Sequence, residues 1–476
     1  MGGACVWAAA VAVLAVATVF YEVDIAALRI PLLDLTAHPP PSVDPSCSRL
    51  RGPIGAEDAV VLEGRPAVLI LGELDAAAHE FTTLEQHGTS ASTAPSGTLW
   101  ALDQLEEASP RLTPLEVTLP LGVTTMHLHG LGLHGNILFA VNHAFRGGGE
   151  RIERWRVIRL EPGNAPPVRL EHIGSVTGSG CDEFGKGGWT FTARLNAAIN
   201  DIAPVSATEF YMTQFLDAPA SLEGGASGAL EGFVPAAEEP LTATLRFLSK
   251  RLGVEYHARL FLPRLRRTHI WHCYCAVPPD AERCARTVCE IAARPSTTWN
   301  GIAFKAASPI SGGPTGFLYV TDIFRRLVVE FAVLGSGAAA QLEARREFWT
   351  PYMVDNVHVS THAGSNSLWV GAVGYSEVHI WGALTALQKN ASAAYSAARA
   401  AERAPPRPHL HLRPTATATP QPPMPSGALH IDLATGKVTT RLLQSGHLAA
   451  VSWSHLVAGK LVMGSPWDDG VLVCPD

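Results

Sequence analysis

One short pattern recurs along this chain and limits the folds open to it: a small or polar residue, then three or four large apolar residues, then Gly, Thr or Asn. Apolar, β-branched runs of this length, bounded by turn-forming residues, are typical of buried β-strands. The pattern occurs six times, at residues 67–72, 136–143, 209–215, 316–322, 367–372 and 460–465. Most copies precede a second candidate strand, such as 152–161 or 326–334, and residues 426–443 are typical of a hairpin.

Repetition of a small β-sheet unit favours a β-propeller over a sandwich, because each blade buries both faces against its neighbours. The units recur roughly every 50 to 70 residues. Two long interruptions, at about residues 218–295 and 384–425, are predicted to be insertions, although part of the first is expected to supply outer strands of a blade. The second is predicted to be a surface helix followed by an extended loop. The 476 residues, 47% of them hydrophobic, can bury a large core.

The N-terminal segment predicts entry into the secretory pathway. Residues 1–22 are interpreted as a helical signal peptide or signal anchor, since residues 4–21 are almost all apolar. Residues 23–46 are predicted to be an amphipathic linker that packs on the domain or, as the less favoured alternative, lies on a membrane. Residues 47–476 are expected to form the propeller. We therefore expect a secreted or membrane-anchored protein, with the propeller on the luminal or extracellular side.

The eight cysteines fit an oxidising compartment. Cys47 and Cys474 stand at the two ends of the expected domain, so a disulfide between them would tie the chain ends together, with two unrelated thiols as the alternative. Four clustered cysteines are expected to form local disulfides rather than a zinc site, because of the leader: Cys273, Cys275, Cys284 and Cys289. Their pairing, and that of Cys181, stays open. Asn390 begins a glycosylation tripeptide.

The charge distribution excludes one class of partner. The net charge is −7, and the 36 Lys and Arg residues are spread along the chain rather than clustered. Nucleic-acid-binding domains carry a basic patch or stripe, and none is visible in this sequence. A nucleic-acid partner is therefore not expected.

Residues with side-chain oxygens stand where four of the apolar runs begin, a place where they have no packing role. The motifs are Glu57-Asp58, Asn200-Asp201, Asn300-Gly301 and Asp355-Asn356. Calcium takes six to eight oxygen ligands, and mixed carboxylate and amide sets supply them. Turns and caps are the usual role of such residues, but four motifs in equivalent positions favour a calcium site. Because neighbouring side chains of a regular strand point to opposite faces, the pairs favour two stacked ions, unless the backbone turns there.

These residues resemble the paraoxonases, a family of calcium-dependent arylesterases and lactonases built on a six-bladed β-propeller. The resemblance spans most of residues 47–474 and keeps the order of the motifs. The motifs are C-x9-E-D from Cys47, M-H-L-H-G-L at 126–131, F-A-V-N-H at 139–143, L-N-A-A-I-N-D-I at 195–202, W-N-G-I at 299–302, V-D-N-V at 354–357, L-W-V-G at 368–371 and the terminal V-L-V-C.

The resemblance implies an all-β, six-bladed propeller with two central Ca²⁺ ions that hydrolyses small aryl esters and lactones. The ligands that it implies for the catalytic ion are Glu57, Asn200, Asn300, Asp355 and Asn356. Those for a structural ion are Asp58, Asp201 and the backbone carbonyl of Leu131. It further implies that His129 and His143 form a dyad that activates the attacking water, and that Cys47 and Cys474 form the ring-closing disulfide.

The chain departs from the family at several positions, which leaves the substrate open. Thr298 and Trp299 stand where Phe and Ala usually line the pocket, and Val373 stands where a histidine is typical. Two alternatives are a gluconolactonase-like or strictosidine-synthase-like enzyme, and a non-catalytic, calcium-stabilised, membrane-anchored propeller. The oligomeric state is not predicted.

Overall fold

A computed structural model describes most of the chain from Ser46 to Pro475. The described residues are 46–62, 64, 67–73, 97–107, 109–118, 126–144, 149–161, 163–177, 199–214, 268–276, 284, 287–293, 299–308, 313–323, 325–360, 366–374, 426–444, 448, 450–466 and 468–475. The predictions for residues 1–45, Cys181, Thr298 and Asn390 fall outside them.

The described residues form an all-β, six-bladed propeller of 24 strands and one short 3-10 helix, Gly337–Ala339. Each blade is a four-stranded antiparallel sheet whose strands follow one another from the centre outwards. Blade 1 contains β2 (Ala56–Leu62), β3 (Val68–Glu73), β4 (Leu99–Asp103) and β5 (Arg111–Pro114); blade 2 contains β6 (Leu128–His134), β7 (Ile137–Ala144), β8 (Gly149–Arg159) and β9 (Val168–Thr177). Blade 3 contains β10 (Ile199–Pro204), β11 (Phe210–Gln214), β12 (Ile270–Cys275) and β13 (Thr287–Ile291); blade 4 contains β14 (Trp299–Ala306), β15 (Gly316–Asp322), β16 (Leu327–Leu334) and β17 (Gln341–Trp349). Blade 5 contains β18 (Met353–Val359), β19 (Ser367–Gly374), β20 (Ser426–Asp432) and β21 (Val438–Gln444); blade 6 contains β22 (Trp453–Val457), β23 (Lys460–Gly464), β24 (Asp469–Pro475) and the N-terminal β1 (Ser48–Ile54).

The two chain ends close the ring in blade 6. The N-terminal strand β1 pairs with the C-terminal strand β24, and a disulfide joins Cys47 to Cys474 across a sequence separation of 427 residues. The inner strands contact one another around the ring, from β2 through β6, β10, β14 and β18 to β22, which contacts β2 again. Each inner strand is an edge strand of its own sheet, and the closed ring covers that edge with the inner strands of the neighbouring blades.

The core lies between the blades. All seven residues of β2 and all eight of β19 are buried, as expected for strands covered on both faces. Large aromatic side chains fill the wedges between blades, among them the fully buried Trp155, Trp453 and Phe139. The recurrent apolar pattern therefore records burial on both faces of each blade.

The strand predictions agree with the structure in detail. The six copies of the pattern correspond to β3, β7, β11, β15, β19 and β23, the second strand of each blade, and β20 and β21 form the predicted hairpin. The first predicted insertion contains β12 and β13, so its last part completes blade 3. Two further disulfides join Cys273 to Cys289 and Cys275 to Cys284 there. Among the residues described, no helix is long and apolar enough to cross a membrane.

The last described residues before the two longest gaps lie at the same end of the ring. Ile199, at the start of β10, pairs with Gln214, and Met353, at the start of β18, pairs with Gly374. Gln214 and Gly374 therefore lie at the end of the ring where the inner strands begin. The oxygen-bearing motifs lie at that same end, within the first four residues of β2, β10, β14 and β18.

Candidate metal centre

Every predicted ligand pair lies in a β-bulge of an inner strand. In β10, Ile199 faces Gln214 but Ile202 faces Met212, so the inner strand carries one extra residue around Asn200. The same shift occurs around Glu57 in β2, His129 in β6, Asn300 in β14 and Asp355 in β18. A bulge breaks the strict alternation of side chains and re-aims them. The condition that the sequence left open, a turn of the backbone at these residues, is thus met.

Glycines let adjacent inner strands approach closely at the bulges. A Cβ atom built on Gly130 would lie 2.4 Å from Cα of Asp201, and one built on Gly301 would lie 2.4 Å from Cα of Asn356. No other residue fits such a backbone contact. The Gly following His129, and the one following Asn300, therefore bring the motif of one blade against that of the next.

Five side chains in these bulges each keep a buried oxygen with no hydrogen-bond partner among the described residues. The atoms are Glu57 Oε2, Asn200 Oδ1, Asn300 Oδ1, Asp355 Oδ1 and Asn356 Oδ1. We call these five residues the open-oxygen set. They come from blades 1, 3, 4 and 5, and all are buried. An unpaired buried polar atom is unfavourable, and the concentration of five such oxygens in these bulges favours a ligand there.

The amide nitrogens of the set are engaged, and this fixes the direction of their oxygens. Asn356 Nδ2 donates to the carbonyl oxygen of Glu57 at 2.9 Å and to Glu57 Oε1 at 3.1 Å. The Asn300 side chain hydrogen-bonds to Asp355, and Asn200 Nδ2 lies 3.4 Å from His129 Nε2. Each amide therefore uses its nitrogen on a neighbour within the site.

In two other carboxylates of the same bulges, each oxygen accepts one backbone N–H group. Asp58 accepts from Ala59 N at 2.8 Å and, across to blade 2, from Leu131 N at 2.6 Å. Asp201 accepts in the same way from Ile202 N and, across to blade 4, from Ile302 N, both at 2.7 Å. We call Asp58 and Asp201 the clip carboxylates, because each joins two blades.

His129 lies beside the open-oxygen set. Its Nε2 atom is 3.3 Å from Glu57 Oε1, and its side chain is 12% exposed. The positive charge of this ring, when protonated, also lowers the pKa of the Asp355 carboxyl against the effect of burial. The structure thus brings one of the two predicted dyad histidines to the site. For His143 only the backbone in β7, paired with Glu150, is described, so its role stays a prediction.

The buried carboxyls strongly disfavour ionisation without a counter-charge. Burial, and then the charges of neighbouring carboxylates, raise the pKa values of Glu57, Asp201 and Asp355 well above their usual range. Burial also raises the pKa of Asp58 to about 7, although its two backbone N–H donors oppose the shift. A bound cation would reverse this balance, because it favours the charged carboxylates.

The residues present fit a calcium ion. The open-oxygen set supplies five hard oxygen donors, and its two carboxylates match the charge of one divalent cation. Over the described ranges no three His, Cys, Asp or Glu side chains come together as a complete metal site, and the set is of a different kind because three of its five members are amides.

Of the three positions where the sequence departs from the family pattern, the two that the structure describes make apolar contacts. Trp299 is buried and packs edge to face on Phe331, with ring centroids 5.9 Å apart, so its indole belongs to the core near blade 4. Val373 packs with Ile323, Met353 and Ala450 in a small cluster beside the start of β18.

The sequence reasoning missed two histidines near the ring centre, His358 in β18 and His455 in β22. Their rings lie 4.0 Å apart, and both are buried. Each is a buried histidine in an inner strand, two or three residues after Asn356 or Ser452. That position, close behind a site residue, was the available signal.

Sequence and structure comparisons do not place the chain in a family. No family model matches it, and no curated protein is significantly similar to it. The resemblance to the paraoxonases therefore rests on the motifs alone.

Several solved structures are distantly similar in shape. A candidate 6-phosphogluconolactonase from Bacteroides fragilis matches at 10% identity and a TM-score of 0.34, over 79% of this chain and 85% of that one. The sialidase of Trypanosoma rangeli matches at 8% identity and a TM-score of 0.40, over 91% of this chain and 59% of that one. The aldose sugar dehydrogenase of Streptomyces coelicolor matches at 13% identity and a TM-score of 0.28, over 70% of this chain and 93% of that one. At these values the matches indicate neither a family nor an activity.

Proposed function

We propose that this protein is a calcium-dependent hydrolase of aryl esters and lactones. The observation that carries the proposal is the open-oxygen set: five buried, unpartnered oxygens on four blades, whose side chains contact one another or His129. The motif resemblance supports it from the sequence. Disulfides support the accompanying proposal of a secreted or luminal protein, because they persist in oxidising compartments.

The open-oxygen set would hold the catalytic calcium, and its three amides limit the negative charge there. The clip carboxylates and the carbonyl of Leu131 would hold a second, structural ion, since a carboxylate oxygen that accepts one N–H keeps a further lone pair. Calcium with an open coordination position polarises a substrate carbonyl and stabilises the oxyanion that forms.

His129 would take the proton from the attacking water. Its Nε2 atom lies within 3.3 Å of Glu57 and 3.4 Å of Asn200, so a water among these atoms would be within hydrogen-bond reach. Glu57 Oε1 would orient the ring and stabilise the imidazolium. His143 would serve as the second member of the dyad.

The substrate would lie on an apolar wall next to the ions. Val373, Ile323, Met353 and Ala450 form a buried apolar cluster at the end of the ring where the open-oxygen set lies, and this cluster would back the wall. Aryl esters and lactones suit it, because they combine an apolar body with one reactive carbonyl.

The test is hydrolysis of phenyl acetate and δ-valerolactone by the purified full chain, with calcium and with EDTA. We expect turnover that needs calcium and that Asn300→Ala lowers roughly 10²–10³-fold in kcat/KM. Asn164→Ala, in an exposed turn, is the matched control and should keep full activity. Calcium binding without turnover of either substrate would reject the enzyme and support a calcium-stabilised scaffold instead.

A further inference from the structure

Two buried histidines in contact near the ring centre form a pair that the proposed hydrolysis does not use. His358 and His455 come from β18 and β22, the inner strands of blades 5 and 6, and their rings lie 4.0 Å apart at 33°. His455 Nε2 lies 3.0 Å from the carbonyl oxygen of Ala59, which a protonated ring nitrogen can reach as a donor. This hydrogen bond accounts for the buried Nε2 atom of His455.

His358 is not explained in that way. Its Nε2 atom lies 3.2 Å from Asp58 Oδ1, yet this buried nitrogen has no hydrogen-bond partner within the described ranges, since its N–H direction does not meet the carboxylate. His358 is 8% exposed. A buried imidazole nitrogen that lies beside a carboxylate oxygen without a hydrogen bond to it favours a ligand bound to both atoms.

The separation of the two atoms fits a shared metal ion. Nitrogen and oxygen ligands at about 2.1 Å from one ion, roughly at right angles, lie about 3.0 Å apart. The observed 3.2 Å corresponds to a slightly wider angle. Asp58 is already held by two backbone N–H groups, so it is fixed for this role rather than mobile.

We infer that His358 is a ligand of the inner ion, and that this ion is a first-row divalent cation such as Mn²⁺ or Zn²⁺ rather than calcium. The inference rests on the proposed function only in taking Asp58 and Asp201 as the carboxylates of an inner position. The side chains of Asp58 and His358 would bind the ion, and backbone oxygen and water would complete its coordination.

The chemistry of the donors decides the kind of ion. Calcium prefers an all-oxygen shell, whereas imidazole nitrogen favours first-row transition ions. The open-oxygen set contains no nitrogen ligand: its amide nitrogens face neighbouring residues, and His129 Nε2, beside the set, is already paired with Asn200 Nδ2 at 3.4 Å. The centre of the ring would therefore hold two different ions: calcium at the open-oxygen set, and the first-row ion at Asp58 and His358.

The experiment reloads chelator-stripped full-length protein with one equivalent of Mn²⁺ under a hundredfold excess of Ca²⁺. Bound metal is counted by mass spectrometry after desalting, and electron spin echo modulation reads nitrogen coupling to Mn²⁺. We expect one Mn²⁺ per chain with the modulation of one imidazole. His358→Asn, which can still donate a hydrogen bond to Asp58, should weaken Mn²⁺ binding by at least about tenfold and remove the nitrogen signal.

Two matched variants separate this inference from its neighbours. His455→Asn alters the same histidine pair but leaves His358 and Asp58 in place, and should keep both Mn²⁺ and the nitrogen signal. Asn300→Ala should lose the outer calcium and the hydrolysis but keep Mn²⁺. Wild-type protein that shows the nitrogen signal but no calcium-dependent hydrolysis would thus reject the proposed function alone.

Two results would overturn the inference. One is wild-type protein that holds only calcium, or Mn²⁺ without nitrogen coupling. The other is His358→Asn that keeps Mn²⁺ at the wild-type level, which would make His358 a structural partner of Asp58. If His358→Asn does not fold, the nitrogen coupling of the wild type decides alone.

Discussion

Adjacent residues in one bulge have opposite environments in this propeller. Glu57 keeps an unpartnered oxygen, whereas both oxygens of Asp58 accept backbone N–H groups from two blades. Asn200 and Asp201 repeat the contrast in blade 3. The extra residue of the bulge thus gives neighbouring side chains different roles. One keeps an unpartnered oxygen for a ligand, and the next joins two blades by hydrogen bonds.

Blade 6 shows what an inner strand looks like without this device. Trp453 pairs with Gly464 and Val457 with Lys460 with no shift in register, and β22 carries no member of the open-oxygen set. Instead, Ser452 Oγ donates to the carbonyl oxygen of Glu57 at 2.7 Å, and Trp453 Nε1 donates to that of Ala56. Blade 6 therefore supports the neighbouring bulge from outside the ligand set.

Calcium removal should have the largest effect, because it acts on the open-oxygen set as a whole. We expect EDTA to reduce ester hydrolysis to background and to lower the melting temperature. Calcium at about 1,000 times its Kd would stabilise the folded state by about 4 kcal/mol through mass action. Calorimetry with and without calcium measures this, and an unchanged melting temperature would count against any bound ion.

Asn300→Ala should separate the open-oxygen set from the clip carboxylates. Loss of one ligand of a charge-stabilising centre should lower kcat/KM roughly 10²–10³-fold, about 3 to 4 kcal/mol. The free energy of unfolding without calcium should fall by less than about 1 kcal/mol, since one partner hydrogen bond to Asp355 is lost. Steady-state kinetics and urea unfolding test both parts, with Asn164→Ala as control.

Asp201→Ala tests the other half of the comparison. The change would leave the buried N–H groups of Ile202 and Ile302 without an acceptor, and should lower the free energy of unfolding by about 2 to 3 kcal/mol even without calcium. Urea unfolding of calcium-free protein measures it, and Asp58→Ala should behave alike. Equal losses of stability in Asn300→Ala and Asp201→Ala would remove the distinction between the two sets.

A dependence on pH should appear only when calcium is absent. A carboxyl whose pKa is raised in the folded state favours folding below its unfolded pKa, and this contribution is lost as the pH rises through the folded value. For Asp58 that window lies between about 4 and about 7. Calcium-free protein should therefore melt at a lower temperature at pH 8 than at pH 6, and saturating calcium should flatten the curve. A curve of the same slope with calcium would contradict the carboxylate assignment.

Ser452→Ala should give the smallest effect. It removes one neutral hydrogen bond to the carbonyl oxygen of Glu57, which is worth about 1 kcal/mol. Because the open-oxygen set stays intact, kcat should change little. A tenfold or larger fall in kcat would mean that blade 6 positions Glu57 for the reaction.

Much of the ring was predictable from sequence, because burial on both faces leaves a strong signal. The second strand of every blade appeared as an apolar run, and the hairpin of β20 and β21 followed from its turn residues. Blade 3 was harder to delimit, since β11 and β12 are separated by more than fifty residues of chain. Strands that are far apart in the sequence carry no local signal that they pair in the sheet.

The bulges were not predictable, and they change an argument. Two stacked ions were favoured because neighbours such as Glu57 and Asp58 should point to opposite faces of a regular strand. The strands are irregular at these residues, so alternation no longer decides the number of ions. The contrast between oxygens without a partner and oxygens that accept a backbone N–H now supports two roles, ligand binding and contact between blades. His358 was missed because it lies outside every oxygen-bearing motif.

Calcium titration of Asn300→Ala beside the wild type, followed by calorimetry and by phenyl acetate hydrolysis, tests the central claim most directly. If the open-oxygen set holds the ion that supports hydrolysis, the variant should bind calcium at least about tenfold more weakly and lose turnover in step, while remaining folded. A variant that binds calcium as tightly as the wild type, or that hydrolyses the ester without it, would contradict the account.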